Sequence, residues 1–127
     1  MTSQKRILLV DDDETILEVA QLTLEAVGGY QVSTAGGGAE ALVIAARDLP
    51  DVILMDMMMP GLDGPTTAAR LRAGAATRDI PVILLTAKTH GPVRESWIKL
   101  GVVGLIAKPF DPMQLPTRVA GLLGWVS

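Results

Sequence analysis

The sequence predicts an α/β fold in which five parallel strands form one sheet with helices packed on both faces. Five short apolar runs divide the chain, and four of them are almost continuously apolar instead of alternating. Such runs are typical of parallel strands that are buried on both faces. They are Ile7–Val10, Tyr30–Thr34, Val52–Met55, Ile80–Leu85 and Val102–Ala107. The segments between them have helical spacing, and this strand–helix alternation indicates a parallel sheet with right-handed connections.

The helices are predicted from apolar spacing and from the residues that begin and end them. Asp13–Val27 places apolar residues on one side and is followed by two glycines, as at a helix C-cap. The last helix opens at Asp111-Pro112, with aspartate as N-cap and proline at the first helical position. Pro116 removes a helix hydrogen bond, so the regular part of this helix is expected to start near Leu115. The other predicted helices are Ala39–Arg47, Thr66–Ala73 and Val93–Leu100.

Length, charge and composition favour a single globular domain over residues 1–127. The chain has 127 residues, the size of one domain, and 49% of them are hydrophobic, so a sizeable core can form. A net charge of −3 without a Lys/Arg stripe argues against a nucleic-acid surface. No apolar run approaches the ~20 residues of a membrane span, and the first residues do not resemble a signal peptide. The absence of cysteine fits a reducing compartment, so we expect a cytoplasmic protein. The charge and the short apolar runs lead us to expect no nucleic-acid and no membrane partner.

Charged and hydroxyl-bearing side chains follow four of the five predicted strands. They are Asp11, Asp12 and Asp13 after the first, Asp56 after the third, Thr86 after the fourth and Lys108 after the fifth. The carboxyl ends of parallel strands meet at one edge, where the ligands of open α/β sheets bind. Carboxylates ~4 Å apart repel by about 4 kcal/mol at an intermediate effective dielectric, so the acidic cluster needs a cation. Oxygen ligands without His or Cys favour Mg²⁺, and a carboxylate beside Mg²⁺, a hydroxyl and a lysine suits phosphoryl transfer.

These residues lie in motifs that resemble the receiver domain of bacterial two-component response regulators. The matching segments are ILLVDDD at 7–13, DVILMDMMMPGLDG at 51–64, PVILLTAK at 81–88 and LGVVGLIAKPFDP at 100–112. The resemblance extends from Lys5 to near Leu123 and therefore covers almost the whole chain. It implies a flavodoxin-like, doubly wound fold of five strand–helix units with strand order 2-1-3-4-5.

The resemblance implies a phosphoacceptor and a metal site. Asp56 looks like the residue that receives the phosphoryl group. Asp11 and Asp12 look like the acidic pair that binds Mg²⁺, with Mn²⁺ able to take its place. Asp56 itself and the backbone carbonyl of Met58 complete the protein ligands that the resemblance implies.

It also implies contacts to the phosphoryl group. Thr86 and Lys108 look like the side chains that touch it, helped by the backbone N–H groups of Met58 and Ala87. In this interpretation the Lys108 charge faces the phosphoryl group and not the metal that the carboxylates bind. The bond from Lys108 to Pro109 resembles the cis peptide of the family, an isomer that X–Pro bonds adopt far more readily than others.

Three positions depart from the family pattern or need another explanation. Leu105 stands where many receivers carry an aromatic side chain that moves with the threonine, so the aromatic form of the switch is not expected. Asp13 is a third acid, which we expect to cap the first helix and not to bind metal. Met58 carries no polar group that could orient an attacking water, which predicts slow dephosphorylation.

The function implied is that of a phosphorylation-dependent signalling switch. A histidine kinase or histidine phosphotransferase would supply the phosphoryl group. The domain would catalyse this transfer and slow autodephosphorylation, without being a conventional enzyme. The response would be read by a downstream protein on the face made by the fourth helix, fifth strand and fifth helix. The residues after Pro112 suffice for one helix, so we expect the output to reside in another protein or the phosphoryl group to be passed onward.

Three other functions are compatible with parts of the pattern. A haloacid-dehalogenase-like phosphatase would use Asp11 as nucleophile and Asp13 as general acid, but it leaves Asp56 without a role. A degenerate receiver would bind partners without phosphorylation, which the intact set of acids, threonine and lysine disfavours. A flavodoxin-like FMN binder would share the topology, but the phosphate loop after the first strand is missing.

Overall fold

The computed structural model describes residues 4–87 and 93–125 and shows strands and helices in strict alternation. The five strands are β1 (Arg6–Val10), β2 (Gln31–Ala35), β3 (Val52–Asp56), β4 (Val82–Thr86) and β5 (Val102–Ala107). The five helices are α1 (Glu14–Ala26), α2 (Gly38–Asp48), α3 (Gly64–Ala73), α4 (Glu95–Ile98) and α5 (Leu115–Leu123). A 3₁₀ turn, Pro112–Gln114, precedes α5, as the proline at position 116 led us to expect.

The strands form one parallel sheet in the order β2-β1-β3-β4-β5. The predicted fold class and strand order are therefore confirmed. Every residue of the central strands β3 and β4 is buried, which explains why these strands are the most continuously apolar runs in the sequence.

Two hydrophobic clusters pack on opposite faces of the sheet. On one face Leu8, Ile53 and Leu84 pack with residues of α2 and α3. On the other face, Leu9 and Leu54 pack with residues of α1 and α5. Because side chains alternate along a strand, neighbouring apolar residues serve both clusters, and the sheet is held from both sides.

The fourth helix is shorter than the sequence predicts. We expected it over 93–100, whereas α4 covers only Glu95–Ile98. None of its four residues is buried, and the N-cap residue, Arg94, makes no capping hydrogen bond through its side chain. Gly101 follows with a positive φ of 87°, which turns the chain into β5. Little packing therefore stabilises this segment, since helices in proteins depend on an amphipathic face more than on propensity.

Within the described residues, no helix has both the length and the apolar character needed to cross a membrane.

The N-terminus of α3 offers a test of the local structure beside the site. The Asp63 carboxylate accepts the Thr66 N–H at 2.7 Å. The side chain and backbone of Thr66 lower the Asp63 pKa below its ordinary value of 3.8. Removal of the cap by Asp63→Ala should lower the free energy of unfolding by about 1 kcal/mol. Urea unfolding at neutral pH measures this loss, with the exposed Asp79→Ala as control.

The pH dependence checks that the carboxylate carries the effect. A carboxyl group with a lowered folded-state pKa stabilises the fold above its unfolded-state pKa, and this contribution is lost as the pH falls through the folded-state value. The difference between wild type and Asp63→Ala should therefore shrink in acid. A difference that stayed constant at low pH would contradict a charged cap.

Candidate functional site

Three carboxylates lie together at the carboxyl edge of the sheet. Asp56 is the last residue of β3, and Asp11 and Asp12 directly follow β1. Val10 pairs with Met55 in the parallel register. The residues that follow them, Asp11 and Asp56, therefore lie side by side. One carboxylate oxygen from each of the three lies within 4.8 Å of the others. Asp11 and Asp56 are buried, whereas Asp12 is exposed.

Lys108 reaches into this cluster from the end of β5. Its Nζ lies 2.9 Å from Asp11 Oδ2 and 3.3 Å from Asp56 Oδ1. Its backbone N–H donates to the Thr86 carbonyl at 2.8 Å, which fixes the point from which the side chain extends. The following peptide bond, to Pro109, is cis.

The sequence did not predict that Lys108 would contact the carboxylates themselves. The ammonium bridges Asp11 and Asp56. The chain itself therefore supplies positive charge to the clustered acids.

The electrostatics of the site follow from burial and from this bridge. Burial raises the pKa of Asp56, and repulsion from Asp11 raises it further. The attraction and hydrogen bond of Lys108, and the backbone N–H of Met58, oppose this rise without cancelling it. Desolvation is the largest influence on the Lys108 pKa and lowers it. The hydrogen bond to Asp11 and the attraction of both carboxylates nevertheless raise that pKa above its ordinary value.

Thr86 ends β4 beside the phosphoacceptor candidate. Its side chain is buried, and its hydroxyl donates to the Met57 thioether sulfur at 3.7 Å. Ala87 follows Thr86 and is exposed. Asp56 pairs with Leu85 across β3 and β4, so Thr86 stands one residue beyond the level of Asp56.

The loop from β3 to α3 is held close to the site by its backbone. The Met57 N–H donates to the Leu85 carbonyl at 2.9 Å, and the Gly64 N–H donates to the Met57 carbonyl at 2.9 Å. A Cβ at Gly64 would lie 2.7 Å from the Asp56 carbonyl oxygen and 3.0 Å from the Met57 Cα. Only glycine permits this approach, so residue 64 fixes how closely α3 packs behind Asp56.

The donor set fits a hard divalent cation. All three side chains offer carboxylate oxygens, and no His or Cys belongs to the group. Such ligands suit Mg²⁺, which keeps several waters and takes a few carboxylates from the protein. The Asp13 N–H donates to Asp11 Oδ1 at 2.9 Å and orients that carboxylate. The Asp13 side chain instead accepts the N–H groups of Thr15 and Ile16 as the cap of α1, as we expected.

The comparison with known families decides the identity. A family model described as the response regulator receiver domain matches residues 7–120. The chain belongs to this family.

Two curated relatives share this receiver sequence. The response regulator PleD of Caulobacter vibrioides is 44% identical over 117 residues, which cover 92% of this chain and 26% of PleD. The DNA-binding dual master transcriptional regulator RpaA of Synechocystis is 37% identical over 118 residues, which cover 93% of this chain and 48% of RpaA. The chain thus spans between about a quarter and a half of these relatives.

Solved receiver structures match over nearly their whole length. The chemotaxis response regulator CheY4 of Vibrio cholerae has a TM-score of 0.86 at 30% identity, with 94% of this chain and 99% of that chain covered. The receiver domain of the sensor histidine kinase PA1611 from Pseudomonas aeruginosa has a TM-score of 0.80 at 33% identity, with 96% and 99% covered. In that protein a magnesium ion is coordinated in the active site cleft.

Sequence reasoning missed two contacts of the receiver site. It did not anticipate that Lys108 would bridge Asp11 and Asp56, nor that the Met57 sulfur would accept the Thr86 hydroxyl. The order of strands β3, β4 and β5 could have pointed to the first contact, because a long side chain after β5 can reach over β4. No sequence signal predicts the second contact.

The lysine bridge generates a prediction about metal affinity. A cation bound among the carboxylates would be close to the Lys108 ammonium, and their repulsion is of order 1 kcal/mol even with strong solvent screening. Lys108→Met, which keeps the apolar stem, should therefore bind Mg²⁺ about fivefold or more tightly in the unphosphorylated protein. Calorimetric titration measures this, with the exposed Lys99→Met as control. Weaker Mg²⁺ binding by Lys108→Met would show that the lysine organises the ligands instead of competing with the ion.

The raised pKa of Asp56 generates a prediction about stability. The buried charge is more costly in the folded state than in the unfolded state, even with Lys108 present. In EDTA, the free energy of unfolding of Asp56→Asn should exceed that of wild type by about 1 kcal/mol. Asp12→Asn should gain less, because Asp12 is exposed. Urea unfolding of the three proteins orders them, and an Asp56→Asn protein less stable than wild type would contradict the electrostatic argument.

Proposed function

We propose that this receiver accepts a phosphoryl group on Asp56 from a phosphohistidine of a histidine kinase or histidine phosphotransferase. The position of the Asp56 carboxylate carries the proposal, since it ends the central strand and meets Lys108, Asp11 and the Met58 N–H at one edge. In the transfer, the donor's P–N bond breaks as a P–O bond to Asp56 forms. Lys108 and the backbone N–H of Met58 stabilise negative charge that develops on the phosphoryl oxygens.

Mg²⁺ completes the site in this proposal, with Mn²⁺ as its substitute. Asp11, Asp12 and Asp56 would hold the ion with the backbone carbonyl of Met58. When bound, it supplies charge neutralisation for the carboxylates and the phosphoryl oxygens. The Lys108 ammonium, which contacts Asp11 and Asp56, lies where it would also contact the phosphoryl group on Asp56. Thr86 and the Ala87 N–H, which follow at the end of β4, complete the contacts to that group.

Two surfaces support the proposed partners. An apolar groove of about 200 Å³ lies next to Lys108 between α1 and the segment after β5, lined by Ile16, Val19 and Phe110. This groove suits the approach of a phosphodonor protein to the site. Ile98, Val103 and Leu122 are exposed apolar residues on α4, β5 and α5. They support the proposal that a downstream protein binds the α4–β5–α5 face.

The phosphatase alternative is not favoured by the site. Both carboxylate oxygens of Asp11 are engaged, one by the Asp13 N–H and the other by Lys108, and the residue is fully buried. The Asp13 carboxylate caps α1 and is not available as a general acid. Asp56 also contacts Lys108 and the Met58 N–H, but it is less completely buried than Asp11, which favours it as the nucleophile. The receiver catalyses only its own phosphorylation and slow dephosphorylation. The lack of a polar group on the exposed side chain of Met58 supports the slow step.

The remaining expectations about context stay predictions. A cytoplasmic location is one of them. The net charge of −3 supports a second, that this domain does not itself bind nucleic acid. Relatives of this receiver include a DNA-binding transcriptional regulator of about twice the matched length. Nucleic-acid binding by the whole protein is therefore a separate question from binding by this domain.

Phosphorylation by a small-molecule donor tests the proposal directly. Incubation with acetyl phosphate and Mg²⁺ should add the mass of one phosphoryl group, and peptide mapping should place it on Asp56. Asp56→Asn should abolish the adduct, because an amide is no nucleophile towards the phosphoryl group. Asp51→Asn is a matched control, since Asp51 is an exposed aspartate immediately before the opposite end of β3. Undiminished labelling of Asp56→Asn, or turnover that depends on Asp11 alone, would refute the assignment.

A further inference from the structure

We propose that Met57 is an oxidation site through which a peroxide slows phosphorylation of the receiver. The inference rests on the proposed function of Asp56 and Thr86. It starts from an unusual concentration of thioethers. The chain has no cysteine and six methionines, four of which, at positions 55, 57, 58 and 59, surround Asp56 in sequence. Thioether sulfur is therefore the sulfur on which an oxidant can act in this protein.

The four thioethers differ in accessibility. Met55 and Met59 are buried in the core cluster that contains Leu8 and Ile53. Met57 is half-buried at the margin of the same cluster. Met58 is 77% exposed, and Met113, in the turn before α5, is 61% exposed. Oxidation should therefore proceed at Met58 and Met113 first and at Met57 next, while the two core residues are protected.

The Met57 sulfur contacts the candidate site. Its Sδ accepts the Thr86 hydroxyl at 3.7 Å, and its own N–H is fixed to the Leu85 carbonyl. A thioether sulfur is a weak acceptor. The bond is thus readily given up when the Thr86 hydroxyl is needed by a phosphoryl oxygen.

Oxidation changes the strength of this contact. The Met57 sulfur attacks the O–H oxygen of a hydroperoxide, and an S–O bond forms as the O–O bond breaks. The proton of the attacked oxygen passes to the other oxygen, which leaves as water or an alcohol. Sulfur loses two electrons and the peroxide gains them. The sulfoxide oxygen is a strong, polar acceptor in place of a weak one. It holds the Thr86 hydroxyl at Met57, and the transferring phosphoryl group is then deprived of this donor.

Met58 serves as the internal comparison. It is more exposed than Met57 and lies next to it in the loop, but the contact to Thr86 belongs to Met57. A sulfoxide at position 58 should therefore leave the Thr86 hydroxyl where it is. This distinction separates the proposal from general oxidative damage near the site.

The test compares wild type, Met57→Leu and Met58→Leu before and after treatment with hydrogen peroxide. Leucine keeps the size and apolar character of methionine at a small cost in stability. Peptide mapping gives the sulfoxide fraction at each methionine, with Met113 as a reference for an exposed site. The initial rate of Asp56 phosphorylation by acetyl phosphate is measured on the same samples. Each variant is compared with its own untreated rate.

Wild type and Met58→Leu should lose rate in proportion to the sulfoxide fraction at Met57. The fully oxidised form should be about tenfold slower or more. This is a smaller loss than the ~10²–10³-fold typical for removal of one positioned donor, because Lys108 and the Met58 N–H remain. Met57→Leu should keep its own rate after peroxide, and methionine sulfoxide reductase should restore the rate of wild type. An unchanged rate at full Met57 oxidation, an equal loss in Met57→Leu, or a Met57 that resists peroxide while Met58 and Met113 react would overturn the proposal.

A second measurement separates this proposal from the proposed function. If untreated wild type accepts no phosphoryl group on Asp56, the proposed function fails, and the rate comparison with it. The ¹³C-methyl resonance of Thr86 then decides whether Met57 controls this side chain. It should shift on peroxide treatment in wild type and Met58→Leu but not in Met57→Leu. No shift in wild type would overturn the inference independently of phosphorylation.

Discussion

The acidic edge of this fold depends on the bridge from the Lys108 ammonium to Asp11 and Asp56. Two buried carboxylates lie close together, and each would be strongly disfavoured if left alone in a poorly solvated site. The ammonium lies 2.9 Å from one and 3.3 Å from the other, so it offsets part of that cost. The offset is incomplete, since the pKa of Asp56 remains raised. The site therefore retains a demand for more positive charge, which a divalent ion can meet.

The same constraint connects the sheet to the chemistry. Parallel strands bring β1, β3, β4 and β5 to one edge, and the register Val10–Met55 sets Asp11 beside Asp56. The two apolar clusters that hold the sheet from both faces fix these strand ends in place. Natural sites commonly retain unfavourable electrostatics where function requires them, at the expense of stability. Here the unfavourable group is Asp56, and the proposed function supplies the reason, because a clustered, partly neutralised carboxylate suits metal-assisted phosphoryl transfer.

Much of this arrangement could be predicted from the sequence, and the reasons are physical. Apolar runs such as Val52–Met55 are readable because strands buried on both faces tolerate few polar residues. The convergence of Asp11, Asp56 and Lys108 follows from sheet topology alone. The length of α4 could not be predicted in this way, because apolar spacing does not reveal that none of its residues would be buried. The Lys108 bridge and the sulfur contact of Met57 depend on side-chain conformations, which local sequence does not determine.

The contact between Thr86 and Met57 bears on how the domain could switch. Leu105 replaces the aromatic residue that many receivers use, and it is half-buried against the same cluster as Met57. A leucine there has no ring to reorient, so under the proposed phosphorylation of Asp56 a movement open to this region is that of the Thr86 hydroxyl from the Met57 sulfur to a phosphoryl oxygen. Exchanging a weak acceptor for a charged one favours this movement, because hydrogen bonds to ionised groups are about twice as strong as neutral ones. In the proposed function, the end of β4 would be the element that the added charge biases, and it connects directly to the backbone of Lys108 through the Thr86 carbonyl. A shift of Thr86 would then be communicated to the end of β5 without any aromatic rotamer.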